Sequence, residues 1–249
     1  MPGGVNCPDG TAGVRYRQFA MFVKICGITS EEDALLAVAM GADALGFVMA
    51  PGSRRLIRPD AVRDIIKRLP PETVTLGVFR DERPERLVET VHHIGLTGAQ
   101  LHGREPLSEV RWVRQRVKFV IQAFAAGDPA LSAAANGPAD VILIDSPDPG
   151  SGRLFDWKLA EGAPGGIRLM LAGGLSPDNV AEAIQRVRPW GVDVSSGVES
   201  SPGHKDARKL RRFIQTAHEA GEAMAEDERP QAASPDGPYN WEIDELTGR

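Results

Sequence analysis

The sequence predicts an α/β protein built as one closed (β/α)8 barrel of the TIM type. Three observations predict it. A short β-branched apolar run, a polar or glycine-containing turn and a stretch of helical spacing recur about eight times between Met21 and Ala217. Most of the runs are continuously apolar, as strands of a parallel sheet covered on both faces are. The competing parallel architecture, the open doubly wound sheet, usually carries Gly-x-Gly-x-x-Gly after its first strand, and Cys26-Gly27-Ile28-Thr29 is no such turn. A chain of 249 residues suffices for one such domain.

Strand by strand, the runs are Phe22 to Cys26, Ala44 to Val48, Val74 to Phe79, Ala99 to Leu101, Phe119 to Phe124, Val141 to Asp145, Arg168 to Ala172 and Gly191 to Ser195. The first helix opens on Ser30 with Glu31, Glu32 and Asp33, a capping-box-like start, and stops at Gly41, a residue suited to the left-handed C′ position. Further helices are expected from Pro59, Pro84, Leu107 and Asn179, with a long amphipathic one from about Asp206 to Ala217. Proline suits a first helical turn, where its missing N–H would have no partner in any case.

Two appendages flank this body, so the chain divides into an extension at 1–20, a barrel at 21–218 and an acidic tail at 219–249. The extension lacks periodicity and Met21 directly precedes the first strand, which makes Met21 a candidate translational start. From Glu219 onward nine acidic residues face only Arg229 and Arg249, and Pro, Gly and Ser are frequent. Both ends are expected to be disordered. Tyr239 and Trp241 could dock the tail's end on a surface, a floppy tail being the plainer reading.

Charge and composition exclude several classes. The formal charge of −5 is set by the tail at −7, which leaves the body at +2 with no basic stripe of the kind a nucleic-acid binder needs. No stretch approaches the roughly 18 apolar residues of a membrane span, and the opening has no apolar signal-peptide core. The expected location is therefore the cytoplasm. With only Cys7 and Cys26, neither a disulfide framework nor a zinc site is expected.

In a closed barrel the chemistry sits at the C-terminal ends of the strands. That rule selects Cys26 ending strand 1, His102 after strand 4, Asp145 ending strand 6, Gly173 and Gly174 after strand 7, Asp193 just inside strand 8, and Ser195, Ser196 and Gly197 following it. A cysteine at a strand end is commonly a small buried hydrophobe. A carboxylate there is harder to dismiss, because an unpaired buried charge is costly. Asp193 is an alternative acid or a structural group. Glycines after strands 7 and 8 let backbone N–H groups approach an anion where barrels frequently hold phosphate. Arg54 and Arg55, in the loop after strand 2, are candidates for gripping a carboxylate bidentately.

At these residues the sequence resembles a known family. Lys24 to Thr29, Gly41 to Phe47, Gln100 to Gly103, Phe155 to Trp157, Leu171 to Leu175 and Val192 to Glu199 look like the motifs of the phosphoribosylanthranilate isomerases of tryptophan biosynthesis, in order and across every strand. The resemblance implies a barrel without metal or organic cofactor, acting on a small phosphorylated substrate as a monomer or homodimer. It further implies Cys26 as general base, Asp145 as general acid and Arg55 as the grip on the anthranilate carboxylate. Gly152 belongs to the loop after strand 6 and is expected among the substrate-binding residues with His102, Gly173, Gly174, Asp193, Ser195, Ser196 and Gly197. Leu56 departs from the family, which usually has an aromatic after the arginine.

The implied chemistry converts an aminoaldose to an aminoketose. An acid must still carry its proton near neutral pH, and the cysteine base needs enough thiolate, so its thiol is expected to titrate lower than usual or to be matched to the substrate. The related sugar isomerase of histidine biosynthesis, or a bifunctional enzyme, would carry a carboxylate where Cys26 stands. A non-enzymatic binder of a phosphorylated metabolite would be expected to lack the base or the acid.

Overall fold

A computed structural model of the chain describes residues 21–134, 136–146 and 168–227. Eight parallel strands close into a barrel: β1 (Phe22–Cys26), β2 (Ala44–Val48), β3 (Val74–Phe79), β4 (Gly98–Leu101), β5 (Phe119–Ala125), β6 (Val141–Asp145), β7 (Leu169–Leu171) and β8 (Gly191–Val194). β8 pairs back onto β1 with Lys24 opposite Asp193, which completes the ring. The helices are α1 (Glu31–Ala39), α2 (Pro59–Ile66), α3 (Pro84–Ile94), α4 (Leu107–Arg114), the single turn α5 (Leu131–Ala134), α6 (Val180–Val187) and α7 (Ala207–Asp227). A hairpin of β9 (Glu199–Ser201) and β10 (His204–Lys205) follows β8.

Strand alternation divides the core in two. Outward residues such as Val23, Ile25, Leu45 and Val120 pack beneath the helices, while inward Phe22, Val74, Leu76, Phe119, Ile121, Leu143 and Met170 fill the barrel. Trp190 stacks on Phe22 at 4.5 Å and closes the N-terminal end. Moving along the inward face toward the C-terminal end, the side chains turn polar: Lys24, Gln100, Asp145 and Asp193 are all buried there. The alternation that plugs the bottom with hydrocarbon therefore aims polar groups into the mouth.

Local signals explain the helix ends. Ser30 caps α1, its Oγ accepting from the Asp33 N–H at 3.1 Å. Asp33 does not complete a capping box; its carboxylate instead accepts the backbone N–H of Lys205 at 3.1 Å and ties α1 to β10. Pro59 and Pro84 occupy first turns. The last helix departs from expectation. The sequence pattern ends it near Ala217, with a structureless tail from Glu219, yet α7 continues to Asp227 because Ala220 and Gly221 are buried and Met224 packs on the core. The expectations for 1–20 and for 228–249, Tyr239 and Trp241 included, lie outside the described residues.

Candidate active site

The C-terminal strand ends surround a cavity of 410 Å³, within the roughly 300–1,000 Å³ usual for small-molecule sites. Cys26, Arg55, His102, Asp145, Gly173, Gly174, Asp193, Ser195 and Ser196 all line it, so nine of the residues chosen from sequence meet at one place. Gly197 stands just behind, starting no contact with the cavity itself. It lies in a 3-10 turn (Ser196–Val198) and abuts the Leu175 carbonyl so closely that no side chain would fit. Gly152 lies outside the described residues.

On one wall, Asp145 Oδ1 accepts the Ser146 N–H at 2.7 Å, and its Oδ2 lies 3.3 Å from His102 Nε2. His102 Nδ1 is 3.0 Å from Gln100 Nε2. An imidazole backed by an amide thus stands against the carboxylate. Gly173 takes φ +81°, and a side chain there would collide with Ser146 N and sit 2.9 Å from Asp145 Oδ1. Glycine is needed both for the left-handed backbone and for the approach.

Opposite, Cys26 is free and buried, its thiol beside Lys24. Lys24 is fully buried and its Nζ donates to Asp193 Oδ1 at 2.8 Å. Burial pushes the Cys26 thiol up, against the lowering fields of Lys24 and Lys205, with Asp193 adding to the rise. The expected lowering of this thiol is therefore not found, since desolvation outweighs the nearby cations. Burial works to neutralise Lys24 as well, but Asp193 and Cys26 together hold its ammonium above its ordinary value.

Arg55 is occupied in a way the sequence did not suggest. Its Nε and Nη2 donate to the two oxygens of Glu199 at 2.7 and 2.8 Å, so the bidentate grip is spent on a residue of β9. Lys205 Nζ donates to the same Glu199 at 3.1 Å and to the carbonyls of Cys26 and Ser195, at 2.6 and 3.2 Å. Burial pushes Glu199 up, yet the Arg55 hydrogen bond and Lys205 hold it below the ordinary carboxylate range. Lys205 is lowered, chiefly by burial. Gly27, at φ +73°, leaves the space into which Arg55 Cδ and Ser195 Oγ press.

Along the glycine wall, Gly173 (φ +81°) and Gly174 (φ +69°) follow β7, and Ser195 and Ser196 follow β8. Ser195 Oγ is buried and has no hydrogen-bond partner among the described residues. Such an orphaned hydroxyl beside a glycine-rich loop suits an oxyanion. Among the described residues, no cluster of three or more His, Cys, Asp or Glu could hold a metal ion, and no helix is long and apolar enough to cross a membrane.

Comparison with known proteins decides the family. The profile described as N-(5′-phosphoribosyl)anthranilate (PRA) isomerase matches residues 23–216. The chain belongs to this family. It is an isomerase of tryptophan biosynthesis that interconverts an aldose and a ketose. The N-(5′-phosphoribosyl)anthranilate isomerase of Desulforudis audaxviator is 50% identical over 205 residues, covering 80% of this chain and 98% of that one. The crystal structure of the Thermus thermophilus phosphoribosyl anthranilate isomerase superposes with a TM-score of 0.75 at 46% identity, over 79% and 98% of the two chains. A phosphoribosyl anthranilate isomerase solved in complex with reduced 1-(o-carboxyphenylamino)-1-deoxyribulose 5-phosphate gives 0.72 at 42% identity, over the same shares.

Besides the residues chosen from sequence, the structure brings Gln100 and Arg80 to the wall of the PRA isomerase mouth and sets Lys24, Glu199 and Lys205 against Asp193, Arg55 and Cys26 behind it. Lys24 and Gln100 carried a usable signal: each is polar on the inward register of an otherwise buried strand. Glu199 closes the 192–199 motif, but nothing in the sequence pairs it or Lys205 with Arg55 and Cys26, because that meeting depends on how a hairpin folds back over the barrel.

Proposed function

We propose that the chain carries out an Amadori rearrangement of N-(5-phosphoribosyl)anthranilate to 1-(2-carboxyphenylamino)-1-deoxyribulose 5-phosphate, in the cytoplasm, as a monomer or homodimer. The carrying observation is that Cys26 and Asp145, on strands separated by β7 and β8, face one cavity whose intervening wall is the glycine-rich pair of loops. Asp145 delivers a proton to the furanose ring oxygen, the ring C–O bond breaks, and the anilino nitrogen becomes an iminium. Cys26 thiolate then takes the C2′ proton, and that C–H pair forms the enolamine double bond, which tautomerises to the ketose. The loops after β7 and β8 hold the phosphate through backbone N–H groups and Ser195. His102 and Gln100 back Asp145.

Arg55 reaches the anthranilate carboxylate with what Glu199 leaves, namely Nη1 and the second proton of Nη2. The grip is end-on rather than through the Nε edge. Fixing both ends of the substrate leaves the ribose carbons between base and acid, which is where orientation lowers the barrier.

A fluorescence assay on freshly prepared phosphoribosylanthranilate tests the reading. The protein should consume it, Cys26→Ala and Asp145→Asn should each lose kcat with KM little changed, and Arg55→Ala should mainly raise KM. Wild-type kcat in Cys26→Ala refutes the base. If Asp193→Asn loses kcat while Asp145→Asn keeps it, the acid is Asp193.

A further inference from the structure

Beneath the mouth, Lys24 carries a charge that the mechanism does not use. It is a fully buried ammonium on the inward face of β1, two residues before Cys26 and therefore on the same side of the strand. Its position is bounded on three sides. Asp193 lies directly across the β1–β8 pairing and accepts from Nζ at 2.8 Å. Cys26 lies ahead of it. On the β2 side stands Gly46, and a side chain begun there would meet Cys26 Sγ at 2.9 Å and Lys24 Nζ at 3.1 Å. The thiol and the ammonium thus share the space that a bare glycine leaves, within the ~4–6 Å over which an opposite charge favours the ionised form.

Resting on Cys26 as the base, we propose that Lys24 is a positioning residue for the known reaction: clamped by Asp193 and given room by Gly46, its ammonium holds the Cys26 thiolate that accepts the substrate proton. Without that ammonium, desolvation and Asp193 would oppose the buried thiolate, with Lys205 and Arg55 in its favour. The charged groups around it are few. Asp193 of β8 opposes ionisation, Lys205 of β10 and Arg55 favour it from the carbonyl side, and β2 offers no charge at all. Lys24 supplies the largest favourable field on the thiol. Asp193 keeps that lysine ionised although it is buried, so the pair delivers one positive charge to Sγ at the expense of a negative one whose effect on the thiol is weaker. When the proton arrives on Sγ, the ammonium loses its anionic neighbour but keeps Asp193, so it remains satisfied through the cycle.

The test reads the thiol directly, independently of turnover. Alkylation of Cys26 by iodoacetamide is followed against pH by peptide mass in the full chain, in Lys24→Met and in Lys24→Met/Asp193→Asn, with thermal melting as the check on folding. Lys24→Met removes the favourable charge and keeps the opposing one, so its midpoint should rise by at least about one pH unit and its rate at neutral pH should fall roughly tenfold. The double variant removes both charges and should titrate between wild type and Lys24→Met. The pH limb of kcat/KM should move in the same order. Midpoints equal to wild type in both variants, or a double variant at or above the single one, overturn the proposal. Should Lys24→Met not fold, the double variant, which leaves no buried charge unpaired, still decides: a midpoint at or below wild type overturns it. Activity surviving in Cys26→Ala would instead remove the base assignment, and the alkylation order would stand apart from that failure.

Discussion

Glu199→Gln is the most informative single change at the mouth. The carboxylate is 5% exposed and accepts three charge-assisted hydrogen bonds, two from Arg55 at 2.7 and 2.8 Å and one from Lys205 at 3.1 Å. A glutamine keeps one acceptor oxygen in the same place, while its NH2 group faces cationic donors and cannot accept. At least one bond is lost outright, worth about 1.5–3 kcal/mol when a charge is involved, those that remain are weakened because the acceptor is neutral, and two cations are left without their shared anion. Arg55 is partly exposed and can turn to water, which returns some of that energy; Lys205 is buried and cannot. A net loss of about 2–4 kcal/mol results, close to the lower end for breaking a buried pair. At roughly 2–4 °C per kcal/mol for a barrel of this size, the melting temperature should fall by about 4–16 °C. Kinetically the change should appear in KM, because Arg55 loses the partner that aims it while Cys26 and Asp145 are untouched. Thermal melting and steady-state fluorescence measure the two effects. A variant that melts within about 1 °C of wild type with unchanged KM would refute the idea that Glu199 holds Arg55 in place.

Acidification should erase part of the same difference. Glu199 is held below the usual carboxylate range, so its contribution is complete above about pH 4.3 and is lost as the pH falls through its depressed native value; the gap in melting temperature between wild type and Glu199→Gln should narrow below that pH. Gly173→Ala should cost roughly 1–2 kcal/mol for its left-handed backbone and, by displacing Asp145, depress kcat more than KM; an unchanged kcat would show that the approach is not tight. For the ends of the chain, residues 21–227 should melt and turn over like the full protein, whereas ending at 218 removes Ala220 and Met224 from the core and should lower stability by about 1–2 kcal/mol. Equal melting of the two truncated chains would show that the last turns of α7 do not contribute.

Most of the barrel was legible because its signals are local. Buried parallel strands announce themselves as apolar runs, Ser30, Pro59 and Pro84 mark helix starts, and the closed topology follows from counting units. Where the reading failed, a non-local contact decided. The acid-rich residues after Glu219 look like a tail by composition, yet Ala220, Gly221 and Met224 find a surface on the barrel, and Arg188 Nη2 donates to the Met224 carbonyl at 3.3 Å. Composition weighs residues one at a time and cannot register a partner that lies 36 residues away.

The candidate site divides along the same line. Which residues reach the mouth follows from strand parity, and parity is written in the sequence: Cys26 and Asp145 stand on the inward register, as do Lys24, Gln100 and Asp193. Which of them pair does not follow, because pairing depends on the register between strands and on the hairpin after β8. Lys24 meets Asp193 only because β1 and β8 close the ring with those two residues level. Arg55 meets Glu199 only because β9 and β10 fold over the end of β1. These pairings set the charge each group presents. An arginine already bound on one edge offers a substrate only its other edge, and a thiol beside a clamped ammonium is not the isolated cysteine whose ordinary titration the sequence would assign to it. The chemistry of the mouth is therefore a property of closure, and substitutions that shift β8 against β1 should disturb Cys26 even where they touch neither of its neighbours.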